Sequence, residues 1–125
     1  MINGRCKDEL LKFYFNSKGL SSSVIESYLC FITDKQQTTL DLAAAWGLLE
    51  DFFDTYEVRF HISLNKITAG MHEGEKGWVV RQNGCIMSHP DAKGKLYWGS
   101  RYEARKHAVF IANERINKTL EDRDE

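Results

Sequence analysis

Four histidines, at 61, 72, 89 and 107, and three cysteines, at 6, 30 and 85, are the side chains in this chain best suited to hold a metal or to attack a carbonyl. Their spacing favours neither chemistry. H-E-x-x-H, H-x-H and paired Cys/His zinc spacings do not occur. Ser88 and His89 adjoin, but adjacency alone makes no nucleophile–base pair, and G-x-S-x-G is absent. "GMHEGEKG" at 70–77 has three glycines but no Lys-Ser/Thr and no following helix, so it reads as a loop rather than a phosphate cradle. One enzymatic arrangement stays open as the weakest reading: His61, Cys85 and His107 converging in space. The expectation is a protein without catalytic residues, metal or cofactor.

A second set of residues points to binding. Arg81, Lys93, Lys95, Tyr97, Trp98, Arg101, Arg105 and Lys106 fall within residues 81–106, and Arg59 projects from a neighbouring strand. Arginine interleaved with aromatic rings supplies the stacking and phosphate contacts of single-stranded nucleic-acid binding. The same residue types dominate protein–protein hot spots. The expected partner surface is therefore Arg59, Arg81, Lys93, Lys95, Tyr97, Trp98, Arg101 and Arg105, against a solvated charged face with Trp98 tucked into the core.

The elements that must position this surface follow from periodicity. "CKDELLKFYFN" at 6–16 reads as a short helix with Leu10, Leu11, Tyr14 and Phe15 partly inward. Ser23 and Glu26 form a capping box opening a helix that carries Val24, Ile25, Tyr28, Leu29 and Ile32. Thr38 caps the next helix, 39–54. There Leu42, Ala45, Trp46, Leu49, Phe52 and Phe53 recur at the spacing of a buried stripe. Ala43, Ala44 and Gly47 flank that stripe and suggest a close backbone approach to a flat neighbour. From Val58 the period becomes two: Val58, Phe60, Ile62 and Leu64 alternate with Arg59, His61 and Ser63, a half-buried strand. "WVVRQNGCIMS" at 78–88 contains Asn83-Gly84, a hairpin signal, with Trp78 and Val80 on one face and Ile86 inward across the turn. A short strand "LYW" at 96–98 precedes a Ser100/Glu103 capping box and a helix from about 101 to 119, with Ala104, Ala108, Ile111 and Ala112 inward and Val109 and Ile116 widening that face.

The order is α-α-α-β-β-β-β-α, with one strand uncertain. It predicts a small α+β domain: an antiparallel sheet of three to four strands packed by helices, with an N-terminal helical extension. The divisions are an extension at 1–38, a sandwich-like domain at 39–120 and a frayed acidic tail at 121–125. Fragment 39–125 should fold alone if that extension is separable. A homodimer interface is an alternative use for the apolar residues of 1–38.

With 17 Lys+Arg against 18 Asp+Glu, the formal net charge of −1 argues against both a generic DNA-coating protein and an acidic DNA mimic. The odd cysteine count without C-x-x-C suggests a reducing compartment. No apolar run is long enough to span a membrane, and "MINGRCKDELL" has no apolar signal core, so a cytoplasmic location is expected.

"DLAAAWGLLEDF" at 41–52, "GWVVR" at 77–81 and "SRYEARKHAVFIA" at 100–112 together resemble the phage ABA sandwich domain. Ala44, Ala45 and Trp46 match its A-A-W helix motif. Trp78 and Val80 match its W-x-V strand, and Glu103, Ala104 and Ala108 its closing helix. The resemblance spans roughly 39–116 and covers core positions, so it implies provenance in phage or prophage rather than site residues. It implies a non-enzymatic accessory protein that binds and blocks a host protein, such as a host-defence nuclease complex, in the manner of an anti-CRISPR. The alternative is a nucleic-acid or nucleotide binder using the basic-aromatic patch.

Overall fold

The computed structural model of the protein describes residues 2–17, 39–66, 73–87 and 96–123. The helix expected from Ser23, and the turn carrying His89, Lys93 and Lys95, lie outside these residues. Within them the chain forms α1 (Gly4–Ser17), α2 (Thr39–Asp54), β1 (Phe60–Lys66), β2 (Lys76–Gln82), β3 (Cys85–Ile86) and α3 (Arg101–Arg123). This is a small α+β fold with an open antiparallel sheet of order β1-β2-β3. The expected strand at 96–98 is reduced to one bridge, Trp78 to Trp98. No helix among the described residues is long and apolar enough to cross a membrane.

The last helix packs against α1, α2, β1 and β2. Ala104, Ala108 and Ala112 are fully buried on its inner face, so its backbone comes close to its neighbours, while Val109, Ile116 and Leu120 fill the wider gaps. Glu103 N–H donates to Ser100 Oγ at 3.1 Å, the first half of the expected capping box. The helix extends to Arg123, three residues into the expected acidic tail, and Leu120 is buried.

Helix α2 buries Leu42, Ala45, Trp46, Leu49, Phe52 and Phe53, as its period requires. Gly47 is not a point of close approach, because it is exposed and a Cβ there would meet nothing within 4 Å. Close approach occurs at Gly77, where a Cβ would stand 2.8 Å from Tyr97 Cβ.

Helix α1 belongs to this same core. Ile2, Cys6, Leu10 and Tyr14 are buried with the stripes of α2 and α3, and the Phe13 ring meets Phe52 at 5.7 Å. That packing revises the expectation of a separable N-terminal layer for residues 2–17.

The hairpin turns at Asn83 and Gly84, whose φ values of 49° and 89° are those of the tight turn this dipeptide favours. Asn83 also ties the turn to the start of β1. It donates from Nδ2 to Glu57 O at 2.7 Å, and its Oδ1 accepts from Arg59 N at 3.0 Å. Past the turn, β3 is only two residues long, and Ile86 is half exposed, not inward, because its register partner is Arg81 and the pair lies on the sheet face turned away from the helices.

Candidate functional site

Sheet alternation sorts the expected binding residues onto different surfaces. Phe60, Ile62 and Trp78 pack against the helices, so His61, Ser63, Val79 and Arg81 belong to the opposite, outer face. Arg81 lies there across from His61 and donates from Nη1 to Ser63 Oγ at 3.2 Å. Tyr97, lying over Gly77, stands beside that face.

Arg101 and Arg105 sit one helical turn apart at the start of α3 and lie over different indoles. The Arg101 guanidinium carbon is 4.5 Å from the ring centre of Trp78, and that of Arg105 is 5.5 Å from Trp46. Burial, with Arg101 adding like charge, lowers the pKa of Arg105, opposed by Glu50. Burial also raises the pKa of Glu50; Asp51 adds to the rise and Arg105 opposes it. Arg105 is thus part of the α2–α3 junction, whereas Arg101 is exposed.

Two expected residues stand elsewhere. Trp98 is only 4% exposed and stacks on His107 at 4.9 Å between ring centres, so it is core rather than contact surface. Its backbone bridge to Trp78 holds it on the helix side of the sheet. Arg59 pairs through Nε with Asp54 Oδ1 at the end of α2. No basic residue occupies the last turn of that helix, so Arg59 supplies the cation its C-terminus favours. The pair borders a cleft of about 270 Å³ lined also by Glu50, Asp51, Phe53, Val58 and Phe60.

The triad His61, Cys85 and His107 does not assemble. His61 is on the outer sheet face, His107 is on the helix side against Trp98, and the sheet lies between them. Among the described residues no group of three His, Cys, Asp or Glu side chains is placed to hold a metal. Cys85 is exposed; Cys6 is buried, which pushes its thiol up to about 12 and leaves little thiolate.

The structure assembles one cluster that sequence reading did not single out. Leu64 on β1 is paired directly with Trp78 on β2 and is 47% exposed. Arg101 lies over that same indole, and the next pair on the same face of the ladder is Lys66 with Lys76, both exposed. Like charges directly opposed across strands destabilise a sheet. Leucine, indole and guanidinium thus form an apolar spot ringed by cations. The alternation of 58–64 placed Leu64 inward; it remains exposed because the helices cover the Phe60 end of β1 more fully than the Leu64 end. Comparison with known proteins adds nothing to this geometry: no family model, curated protein or solved structure matches the chain.

Proposed function

We propose that this protein is a non-enzymatic binding protein that acts by covering a surface of another protein. In this reading it is a phage accessory protein that blocks a host factor, such as a host-defence nuclease complex. The observation that carries the binding reading is the Leu64–Trp78–Arg101 cluster. It combines a half-exposed leucine, a partly exposed indole and an exposed arginine, the chemistry of interface anchors. Provenance rests on the motif resemblance of residues 39–116. The expected mechanism is steric: a docked partner loses access to the surface beneath. Nucleic-acid binding is the weaker reading, because Trp98 and Arg59 do not join Arg81 and Arg101 on one continuous surface.

The test is a pull-down from bacterial lysate at raised salt, followed by titration of the purified captured protein. Arg101→Glu should weaken that binding by about tenfold or more while circular dichroism stays unchanged. Undiminished affinity in a folded variant would move the contact surface elsewhere. Capture that collapses steeply with salt and proves to be of nucleic acid would replace the protein reading.

A further inference from the structure

The β1 strand has one neighbour, β2, among the described residues. The hydrogen bonds show which backbone groups face away from it. Arg59 O accepts from Asn83 N at 2.8 Å, so Arg59 points toward β2. On the far side of β2, Val80 O accepts from Met87 N, and Trp78 exchanges both bonds with Trp98. Val80 and Trp78 therefore turn their backbone groups away from β1. Their register partners Ile62 and Leu64 must likewise turn theirs away from β2, because opposed residues of an antiparallel pair either exchange bonds or both point outward. By the same alternation, Phe60 and Lys66 also face outward. The outer edge of β1 thus presents the N–H and C=O groups of Phe60, Ile62, Leu64 and Lys66 with no backbone partner among the described residues; only the Leu64 carbonyl is within reach of a side chain, the Asn65 amide at 3.2 Å.

The side chains along this edge have a charge and a pattern. Strands β1 and β2 together, "FHISLNK" and "KGWVVRQ", carry Lys66, Lys76 and Arg81 and no carboxylate. On the helix side, Ile62 and the exposed Leu64 form an apolar row. On the outer side, His61 and Asn65 alternate with Ser63, and Arg81 lies directly behind His61. A second copy of the chain offers no carboxylate on its own β1: antiparallel self-pairing about Ser63 would set the Lys66 of each copy opposite Phe60 of the other, where the nearby Asp54 is already paired with Arg59.

We infer that β1 is a docking edge for an extended, acidic protein segment that adds to the sheet as a fourth strand. Apolar residues of that strand lie beside Ile62 and Leu64, and its alternating carboxylates lie toward His61 and Arg81, with Lys66 at the end. Main-chain bonds supply the affinity and the alternating side chains the selectivity. The inference deepens the binding reading above, and the two fail separately. A purified partner indifferent to Arg101→Glu removes that contact surface whatever happens at β1. A strand probe indifferent to β1 removes strand addition whatever the partner does.

The probe is a capped seven-residue peptide, Val-Glu-Val-Glu-Val-Glu-Val, titrated into the ¹⁵N-labelled full chain. The expected result has three parts. The amides of Ile62 and Leu64 exchange quickly in the free chain, and they shift and become protected on peptide addition. The counterpart with Lys for Glu binds at least about tenfold more weakly. Leu64→Pro, which deletes one outward donor at an edge position where proline is tolerated, also weakens binding about tenfold or more. If that variant does not fold, the Val–Glu peptide N-methylated at alternate residues must lose binding to the native chain instead. Four results overturn the inference: slow exchange of Ile62 and Leu64 in the free chain, a free chain that sediments as a dimer with β1 protected, equal binding of the lysine peptide, or undiminished binding to folded Leu64→Pro.

Discussion

Two regions of the molecule hold dense polar groups and use them in opposite ways: the seam between α1 and α3, and the Leu64–Trp78–Arg101 end of the sheet. In the seam the groups turn toward each other. Asn3 N donates to Asn113 Oδ1 and Asn113 Nδ2 to Asn3 Oδ1, both at 3.0 Å. Asn117 Oδ1 accepts from Cys6 N at 2.8 Å, so one helix supplies a side-chain cap for a first-turn donor of another. Arg5 donates to Leu120 O at 3.0 Å, satisfying a carbonyl near the end of α3. At the sheet end, Lys66 faces Lys76, Leu64 is half exposed and one strand edge points outward. Hydrogen bonds closed inside a seam serve the fold. An exposed leucine and two lysines opposed across strands serve it poorly, which marks the sheet end as the candidate contact surface. Substitutions in the seam should therefore unfold the protein, and substitutions at the sheet end should not.

The largest effect is expected from Leu10→Ala, since Leu10 is fully buried at the α1 contact. The loss should be about 2–5 kcal/mol in chemical denaturation, and removal of residues 1–17 should abolish cooperative unfolding. A cooperative transition in the truncated chain would falsify the single shared core.

Asn113→Ala should follow. It leaves the Asn3 backbone amide without its partner in a part-buried seam and the Asn3 side chain with only the longer bond from Asn117 Nδ2, at a cost of about 1–3 kcal/mol. Urea unfolding is the measurement, and a change within error would mean that water replaces the lost bonds.

Arg101→Ala should be milder, because an exposed cation–π contact contributes roughly 0.5–1 kcal/mol. Thermal unfolding should show a small downward shift. A loss comparable to Asn113→Ala would move Arg101 from the contact surface to the framework and erase the contrast.

The smallest effect is a pH dependence at Glu50. Burial raises its folded pKa above that of the unfolded chain, so the folded state holds this proton more tightly. Its contribution to stability is most favourable below the unfolded pKa and declines as pH rises through the carboxylate range. Glu50→Gln removes that decline. The variant should match the native protein below about pH 4 and equal or exceed it near neutrality by no more than about 0.5 kcal/mol. A variant less stable at neutral than at acid pH, relative to the native chain, would show that attraction to Arg105 outweighs burial.

The sequence by itself determined the elements whose signals are local. The stripe of α2, the Asn83-Gly84 turn and the Ser100 cap each arise from side chains within a few residues of the backbone they shape. The alanine face of α3 and the α+β class followed from the same periodicities. Tertiary structure alone decided which residues reach the surface and where α1 belongs. Asn3 and Asn113 are 110 residues apart, and nothing in either neighbourhood announces their bond. Trp78 and Trp98 are the same residue type joined by one backbone bridge, yet Trp98 stacks on His107 in the core while Trp78 carries Arg101 at the surface. Arg59 looked like a member of the basic patch until the α2–β1 turn brought it to Asp54. Periodicity states which side of an element is apolar; the lengths of the neighbouring elements and their close approach decide how far along that side burial extends.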